Sequence, residues 1–432
     1  MKDASDTGGD VGSAKAAYPD HTRDLPQTVR RRRVYYISGF DPQGPRRYYQ
    51  LYRDESQIQA EISSYEIDVG PIRYERGAPV AGWTADLRED GKVTHADVAM
   101  LRWDDISRAW MRKSLPATYL LMIKTWWRYV ASGAFVALTR IRTISTWVGM
   151  YPVAAMCLYL LIAVWNGLFS VWAFSSLSGL PYWATWPIFI IVFYGLMRVT
   201  RMIDEWSFVY FLMCDFGFTA SHSVGEAPEI EDRLDVFADR VFEDWKKNDC
   251  DEVLIVGHSS GGAYAASVAA RLVERGADKR KGPHLSFLTL GQTIPMLSFL
   301  PGAQRMRDEL RLLGKAEEID WIDISSPADG ACYALSDPIG VSGVAPPMRE
   351  RRNPKVISAK FWEAISPIMK SRLRGRWFRI HIQYLCAFDR PIDLDYFRVT
   401  SGPVRLAERF ASRNESPQLK GAPFIQQRLR DI

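Results

Sequence analysis

A short motif in the second half of the chain combines a candidate nucleophile with the backbone that would activate it. Residues 257–261 read GHSSG, a G-x-S-x-G pattern, and they follow an apolar stretch at 253–256. A helix-forming run begins directly afterwards, at 262. A serine at such a strand-to-helix turn stands clear of the sheet, and the helix N-terminus offers N–H groups to a developing oxyanion. The motif therefore predicts nucleophilic attack by Ser259 on an acyl carbonyl.

The glycines of the motif have a steric role in this interpretation. Gly257 and Gly261 would leave room for the neighbouring strand and helix to pass closely. The alternative is a phosphate-binding glycine loop, which requires a Lys-Ser or Lys-Thr pair after the last glycine. Gly262 is followed by Ala263 and Tyr264 instead, so the pattern favours the nucleophile.

In this context the motif resembles the nucleophile turn of the α/β-hydrolase superfamily, and specifically of its esterases and lipases. The resemblance extends loosely over residues 33–115 and 204–400, and it is specific only over 251–275. It implies an α/β fold with a mostly parallel sheet flanked by helices. It also implies cleavage of carboxylic esters through an acyl-enzyme on Ser259, with no metal and no cofactor.

In that family an acid and then a histidine follow the serine along the chain. Two of the six histidines, His284 and His381, come after the motif. His284 begins a predicted strand, whereas sites in parallel sheets lie at the carboxyl ends of the strands. The resemblance therefore assigns His381 as the catalytic base. Its segment, 377–385, reads as a strand rather than as the loop usual in the family, and a core histidine is the alternative.

The acid implied by the resemblance is Asp329, in a Pro-Ala-Asp-Gly turn after a predicted strand at 319–324. Ordinary turn chemistry also explains that sequence, and Asp337 is the second candidate. The expected oxyanion donors are the N–H groups of Ser260 and Phe40. Phe40 follows a predicted strand at 34–37, and residues 41–44 would hold its loop as a turn. An ordinary glycine turn is the alternative there.

The strongest compositional feature is a stretch without any charged residue or histidine, from Thr143 to Met197. One membrane span needs about 20 apolar residues, so the stretch predicts a two-helix transmembrane hairpin at about 149–173 and 182–200. A turn at 175–181 would join the two spans, and tryptophans lie near the predicted ends. A buried helical hairpin in a soluble domain is the alternative.

Charges next to the hairpin predict its orientation. Arg140, Arg142, Arg198 and Arg201 flank the two spans, and the connecting turn has no Lys or Arg. The positive-inside rule then leaves both flanks in the cytoplasm, in an inner or plasma membrane. An N-terminus without an apolar run and five cysteines without close spacing agree with this. The preceding segment, 119–137, is predicted as an interfacial amphipathic helix or as a core helix.

The expected organisation has four parts. A disordered tail, 1–30, precedes the first part of the hydrolase domain at 31–115. A membrane-associated region at 116–203 follows, and the second part of the domain occupies 204–432. Further strands are predicted at 96–103, 251–256 and 285–290, and helices at 231–247, 262–274 and 303–313. Alternating strands and helices predict a parallel α/β sheet.

These features together predict a membrane-anchored serine hydrolase whose partners are the bilayer and a small-molecule or lipid ester. An acyltransferase would use the same residues, and a non-catalytic membrane scaffold is a third alternative. A net charge of +5 over 432 residues, with the basic residues dispersed among acidic ones, does not indicate nucleic-acid binding. The oligomeric state is not predicted by the sequence.

Overall fold

The computed structural model describes residues 28–417, so residues 1–27 of the predicted tail lie outside the described residues. Within this part of the chain, nine strands form a single sheet. They are β1 Arg31–Ile37, β2 Glu66–Val69, β3 Arg73–Tyr74, β4 Val80–Glu89, β5 Lys92–Leu101, β6 Glu252–His258, β7 His284–Leu290, β8 Asp320–Ser325 and β9 Lys355–Ser358.

Helices make up most of the remaining structure. In chain order they are α1 Pro45–Ser63, α2 Asp104–Met111, α3 Leu115–Ala131, α4 Ala134–Ile141, α5 Thr143–Ser178, α6 Tyr182–Met202, α7 Asp204–Ser207, α8 Val209–His222, α9 Pro228–Lys246, α10 Gly261–Glu274, α11 Ile294–Ser298, α12 Gln304–Lys315, α13 Pro338–Val341, α14 Phe361–Ala364, α15 Pro367–Leu373, α16 Trp377–Ile382, α17 Tyr396–Ser401 and α18 Leu406–Arg409. The strands predicted at 34–37, 96–103, 251–256, 285–290 and 319–324 and the helices predicted at 231–247, 262–274 and 303–313 are confirmed, with ends that differ by a few residues.

The sheet is mixed but mostly parallel. Its strand order is β2-β4-β5-β1-β6-β7-β8-β9, with β3 beside β4. The central strand β1 is parallel to both β5 and β6, so strands from both sides of the apolar hairpin lie next to each other. The predicted α/β class with a mostly parallel sheet is confirmed.

One edge of the sheet is antiparallel, a feature that is not among the predictions from the sequence. Strands β4 and β5 pair in an antiparallel register, from Val80 opposite Leu101 to Glu89 opposite Lys92. Asp90 and Gly91 connect the two strands with positive φ angles of 50° and 73°, as a two-residue hairpin turn requires. Because the hairpin extends the ladder, β5 begins at Lys92 rather than at 96.

The core lies in two layers, one on each face of the sheet. Alternate residues of β1 and β6 belong to different layers, as the period of two in a strand requires. Tyr35 and Ile255 pack on one face with helices α9, α10 and α12. Tyr36 and Val256 pack on the other face with helices α1 and α17. Both layers therefore hold the central strands whose carboxyl ends carry the candidate site.

Two helices, α5 and α6, are long and apolar enough to span a membrane, and most of their side chains are exposed. They pack closely, since a Cβ added at Gly167 of α5 would lie 2.6 Å from Phe189 of α6. Gly179, at φ 73°, ends α5. The uncharged stretch therefore folds as a helical hairpin, and its helices are longer than the predicted spans.

The first turn of α5 is bonded to a loop of the sheet domain. Arg142, which precedes the helix, donates hydrogen bonds to the carbonyl oxygens of Pro327 at 2.7 Å and Cys332 at 3.1 Å. The hydroxyl of Ser145 donates to the same Cys332 oxygen at 2.6 Å. These bonds bracket Asp329, so the base of the hairpin holds the loop that carries the predicted acid.

The predicted helix at 119–137 is two helices, because Gly133 at φ 75° breaks the chain between α3 and α4. One face of α3 packs into the protein, where Leu121 fills the space beside Gly217 of α8. The other face exposes large apolar side chains: Leu120, Ile123, Trp127 and Val130. This helix thus has a core face and an exposed apolar face on opposite sides.

Candidate active site

Ser259 lies on the turn between β6 and α10, where the sequence motif predicts it. Its φ angle is +59°, a left-handed conformation that is strained for a residue with a side chain. The backbone N–H of Ser259 donates to the carbonyl oxygen of Leu290, at the end of β7, with a distance of 3.1 Å. The serine is therefore held at the carboxyl edge of the sheet in a sharp turn.

The two motif glycines permit that turn. A Cβ added at Gly257 would lie 2.6 Å from the Cβ of Ala265, and one added at Gly261 would lie 2.3 Å from the carbonyl oxygen of Ser38. Any side chain at either position would force strand and helix apart. The steric role predicted for Gly257 and Gly261 is confirmed.

The structure pairs the two residues that the resemblance assigns as acid and base. Nδ1 of His381 lies 2.8 Å from Oδ2 of Asp329, and the Asp329 side chain is fully buried. Burial alone would raise the pKa of the Asp329 carboxyl. The charge and hydrogen bond of His381, together with the N–H of Ala331 and the thiol of Cys332, outweigh burial, so the pKa of Asp329 is held below its ordinary value. Asp329 is therefore an ionised partner that can orient the imidazole.

His381 lies on a helix, so the interpretation of 377–385 as a strand is wrong. The segment forms α16 and then a short 3-10 turn, Gln383–Leu385. The hydroxyl of Tyr384 also donates to Oδ2 of Asp329, at 3.1 Å. Residues three apart share a face of a helix but lie on opposite faces of a strand. Helical structure therefore lets His381 and Tyr384 reach the same carboxylate.

Ser259 and His381 line one pocket at the carboxyl edge of the sheet. Since Nδ1 of His381 is bonded to Asp329, Nε2 is the nitrogen left to face a nucleophile. Within residues 28–417 the His381 imidazole is hydrogen-bonded to Asp329, and no hydrogen bond joins it to the Ser259 hydroxyl. Catalytic hydrogen bonds often form only when a substrate is bound, so Ser259 and His381, which share this pocket, remain candidates for nucleophile and base.

Asp337, the second candidate for the acid, lies elsewhere and caps a helix. Its side chain accepts hydrogen bonds from the N–H groups of Ile339 and Gly340 at the start of α13. It also forms a 2.6 Å ion pair with Arg351. These contacts give Asp337 a structural role.

The Phe40 loop lies against Ser259. A Cβ added at Gly39 would lie 2.9 Å from the Cβ of Ser259. The N–H of Phe40, a predicted oxyanion donor, points to the Oγ atom of Ser260 at 3.0 Å. The carboxylate of Asp41 accepts from the N–H of Gln43 at 2.8 Å, which confirms the predicted turn.

Two further residues of the pocket were not assigned a role from the sequence. Nε2 of His258 donates to the carbonyl oxygen of His381 at 2.9 Å, and burial is the main cause that lowers the pKa of His258 to about 3. A neutral His258 therefore holds the backbone of His381. The other is Asp215, on α8, which lines the pocket beside Ser260. Its sequence signal is a single acidic residue in an apolar helix, Val209–His222, and this pattern does not by itself indicate a site.

A second, apolar pocket adjoins the first, and the two share Phe216 and Met296. Most of the residues lining it come from α3, α4, α5 and α8, and they include Trp126, Leu138, Gly149, Val153 and Met213. Among residues 28–417 no cluster of His, Cys, Asp or Glu is arranged to hold a metal ion. Comparisons with protein-family models, characterised proteins and solved structures find no match to this chain.

Proposed function

We propose that this chain is a membrane-anchored serine hydrolase of the α/β-hydrolase type, which cleaves carboxylic esters through an acyl-enzyme on Ser259. The observation that carries the proposal is the pairing of Asp329 with His381, in the pocket of a serine whose backbone is strained. These are the groups that nucleophilic acyl transfer requires.

The reaction follows from the roles of these side chains. Nε2 of His381 accepts the proton of Ser259 as the hydroxyl oxygen attacks the ester carbonyl. Asp329 stabilises the imidazolium, which then protonates the leaving alcohol. A water molecule, activated by the same histidine, releases the acid and regenerates Ser259. The N–H of Ser260, which makes no hydrogen bond within residues 28–417, is available to the oxyanion at the start of α10.

The apolar second pocket supports an ester with an alkyl chain as the substrate. It shares Phe216 and Met296 with the Ser259 pocket, and its walls are almost entirely apolar. Burying each methylene group there is worth about 0.8 kcal/mol. Val148, in the first turns of α5, also lines the Ser259 pocket. A substrate drawn from the bilayer would therefore reach the nucleophile along the base of the hairpin.

Anchoring by α5 and α6, with the sheet domain on the cytoplasmic side, completes the proposal. It is supported by the arginines at both flanks and by the exposed apolar surfaces of the two helices. The exposed face of α3, with Trp127 69% exposed, would lie in the membrane interface beside them.

The test is labelling of isolated membranes with a fluorophosphonate probe, which reacts only with an activated serine. The wild type should be labelled, and Ser259→Ala should not. Ser371→Ala is the matched control, because Ser371 is an exposed serine on α15 and its removal should leave labelling unchanged. A wild-type protein that folds and is not labelled would favour the non-catalytic scaffold instead.

A further inference from the structure

The Ser259 pocket contains a carboxyl group that the proposed mechanism does not use. Asp215 lines this pocket together with Ser259, Ser260 and His381. Its Oδ1 atom is buried and has no hydrogen-bond partner. An unpaired polar atom in the interior costs free energy, and a carboxylate beside a developing oxyanion would oppose catalysis. Its presence at this position therefore indicates a role in the site.

Ser260 connects Asp215 to the predicted oxyanion hole. Its Oγ atom accepts the N–H of Phe40 at 3.0 Å. Ser260 and Asp215 line the same pocket, where the Ser260 hydroxyl favours the ionised form of the Asp215 carboxyl and so acts to lower its pKa. A serine hydroxyl has one hydrogen to donate and two lone pairs to accept with. If Asp215 is ionised, that hydrogen points to the carboxylate. If Asp215 is protonated, it donates to Ser260 Oγ, and the hydrogen of Ser260 is free to point into the pocket.

We propose that Asp215 is a positioning residue whose protonated form turns the Ser260 hydroxyl toward the oxyanion, and whose ionised form withdraws it. This inference rests on the proposed function, since it concerns how the same site stabilises its tetrahedral intermediate. The Phe40 N–H already donates its hydrogen bond to Ser260 Oγ. The Ser260 hydroxyl would therefore replace the Phe40 N–H as a hydrogen-bond donor to the oxyanion. Removing one oxyanion donor from a hydrolase costs roughly 10²–10³ in rate.

The surroundings of Asp215 allow this proton to be exchanged near neutral pH. Burial raises the pKa of Asp215 to about 7, against the effects of the Ser260 hydroxyl and the charge of His381. Within residues 28–417 the other titratable groups that face it are Tyr264 of α10 and Tyr129 of α3. Burial raises the pKa of both tyrosines well above 10, so neither tyrosine loses its proton between pH 5 and 9.

The experiment measures the rate constant of fluorophosphonate labelling from pH 5.5 to 9 for the wild type and Asp215→Asn. The wild-type rate should fall above about pH 7, by up to about tenfold per pH unit. The Asn amide can donate to Ser260 at every pH, so the variant should keep its rate. Asp323→Asn is the matched control: burial raises the pKa of Asp323 also to about 7, but Asp323 does not line the pocket, so the fall should remain.

A second variant, Ser260→Ala, keeps the inference testable if Asp215→Asn does not fold. It should be labelled roughly 10²-fold more slowly at pH 6, with no further fall above pH 7. An alkaline fall in Asp215→Asn or in Ser260→Ala like that of the wild type would overturn the role of Asp215. A wild-type rate without an alkaline fall would do the same. No labelling of any variant or of the wild type would instead refute the proposed function.

Discussion

At the scale of single residues, Asp329 is the side chain whose contacts most directly predict a catalytic effect. It accepts hydrogen bonds from His381, Tyr384 and the N–H of Ala331. In Asp329→Asn the amide would favour the wrong tautomer of His381 while keeping the shape of the side chain. We expect the fluorophosphonate labelling rate to fall by about 10³–10⁴, measured on membranes at pH 7.

Asp337→Asn is the matched control for that substitution. Asparagine can still cap α13, and only the ion pair with Arg351 is lost. The labelling rate should stay within about twofold of the wild type. A large loss in Asp337→Asn together with a small one in Asp329→Asn would contradict the assignment of the acid.

Because of the buried Asp323 side chain, we expect the stability of the protein, rather than its activity, to depend on pH. It is fully buried on β8, accepts from Thr289 at 2.6 Å, and leaves Oδ2 without a partner. Burial is the main cause that raises the pKa of Asp323 to about 7, from 3.8 in the unfolded chain. The folded state therefore retains a proton that the unfolded state loses, and this contribution to stability decreases as the pH rises from about 4 to 7.

The Asp323→Asn variant should not show this part of the pH dependence. We compare the melting temperatures of the variant and the wild type in detergent. The variant's value minus that of the wild type should increase from pH 4 to pH 8, by an amount that corresponds to a few kcal/mol at most. A difference in melting temperature that is the same at both pH values would show that Asp323 does not titrate in this range.

At the scale of elements, the base of α5 forms one wall of the apolar pocket. Gly149 lies there, and a Cβ added to it would be 3.8 Å from Phe216, so a larger side chain would fill the pocket without displacing the backbone. In Gly149→Leu, kcat/KM for p-nitrophenyl esters of twelve carbons should fall roughly 10–100-fold. Esters of two to four carbons should be cleaved as by the wild type.

Gly195→Leu on α6 is the control for that change, since a Cβ at Gly195 would meet no atom within 4 Å. It adds the same side chain to the other helix of the hairpin, away from the pocket. Its chain-length profile should match the wild type. Equal losses for short and long esters in Gly149→Leu would mean that the apolar pocket does not hold the alkyl chain.

Elements with one strong periodicity could be predicted from the sequence, and those set by tertiary contacts could not. Helix α9 has apolar residues at helical spacing, and β6 is continuously apolar, so both were predicted nearly to their ends. Strand β4 was missed because Gly82 and alanines dilute its alternation, although Asp90-Gly91 is a hairpin signal. In 377–385 the alternation favours a strand, but the shared contacts of His381 and Tyr384 with Asp329 require a helix.

The same distinction applies to the candidate site. Ser259 follows from local sequence, since the strand, the turn and the helix that position it are contiguous. The assignment of Asp329 and His381 depended on the order of catalytic residues in a known family. The two residues are 52 positions apart in the sequence and come together only in the folded protein. Asp215 could not be predicted, since an isolated Asp in an apolar helix has the same sequence signature whether it faces a pocket or solvent.

At the scale of the whole molecule, the proposed topology places the turn of the hairpin and the sheet domain on opposite sides of the membrane. A cysteine at the exposed Ser178, near the turn, should react with a membrane-impermeant maleimide in intact cells. A cysteine at Ser371, an exposed residue of α15, should react only after permeabilisation. The wild type gives the background from its own five cysteines.

Two results would contradict this topology in different ways. Reaction at Ser371→Cys but not at Ser178→Cys in intact cells would mean that the orientation is reversed. Release of the protein from membranes by alkaline carbonate would mean that α5 and α6 do not span the bilayer, and that the exposed apolar helices are covered by another protein surface.

The bonds between the base of α5 and the loop of Asp329 affect how the protein should be produced. Replacing α5 and α6 with a short linker, a common route to a soluble enzyme, would remove Ser145 and Val148 along with the apolar surface. The Cys332 carbonyl oxygen would lose the hydrogen bond that it accepts from the Ser145 hydroxyl, and the Ser259 pocket would lose part of its wall. Purification should therefore retain the hairpin, in detergent or in a lipid nanodisc, since an inactive truncated protein would say nothing about Ser259.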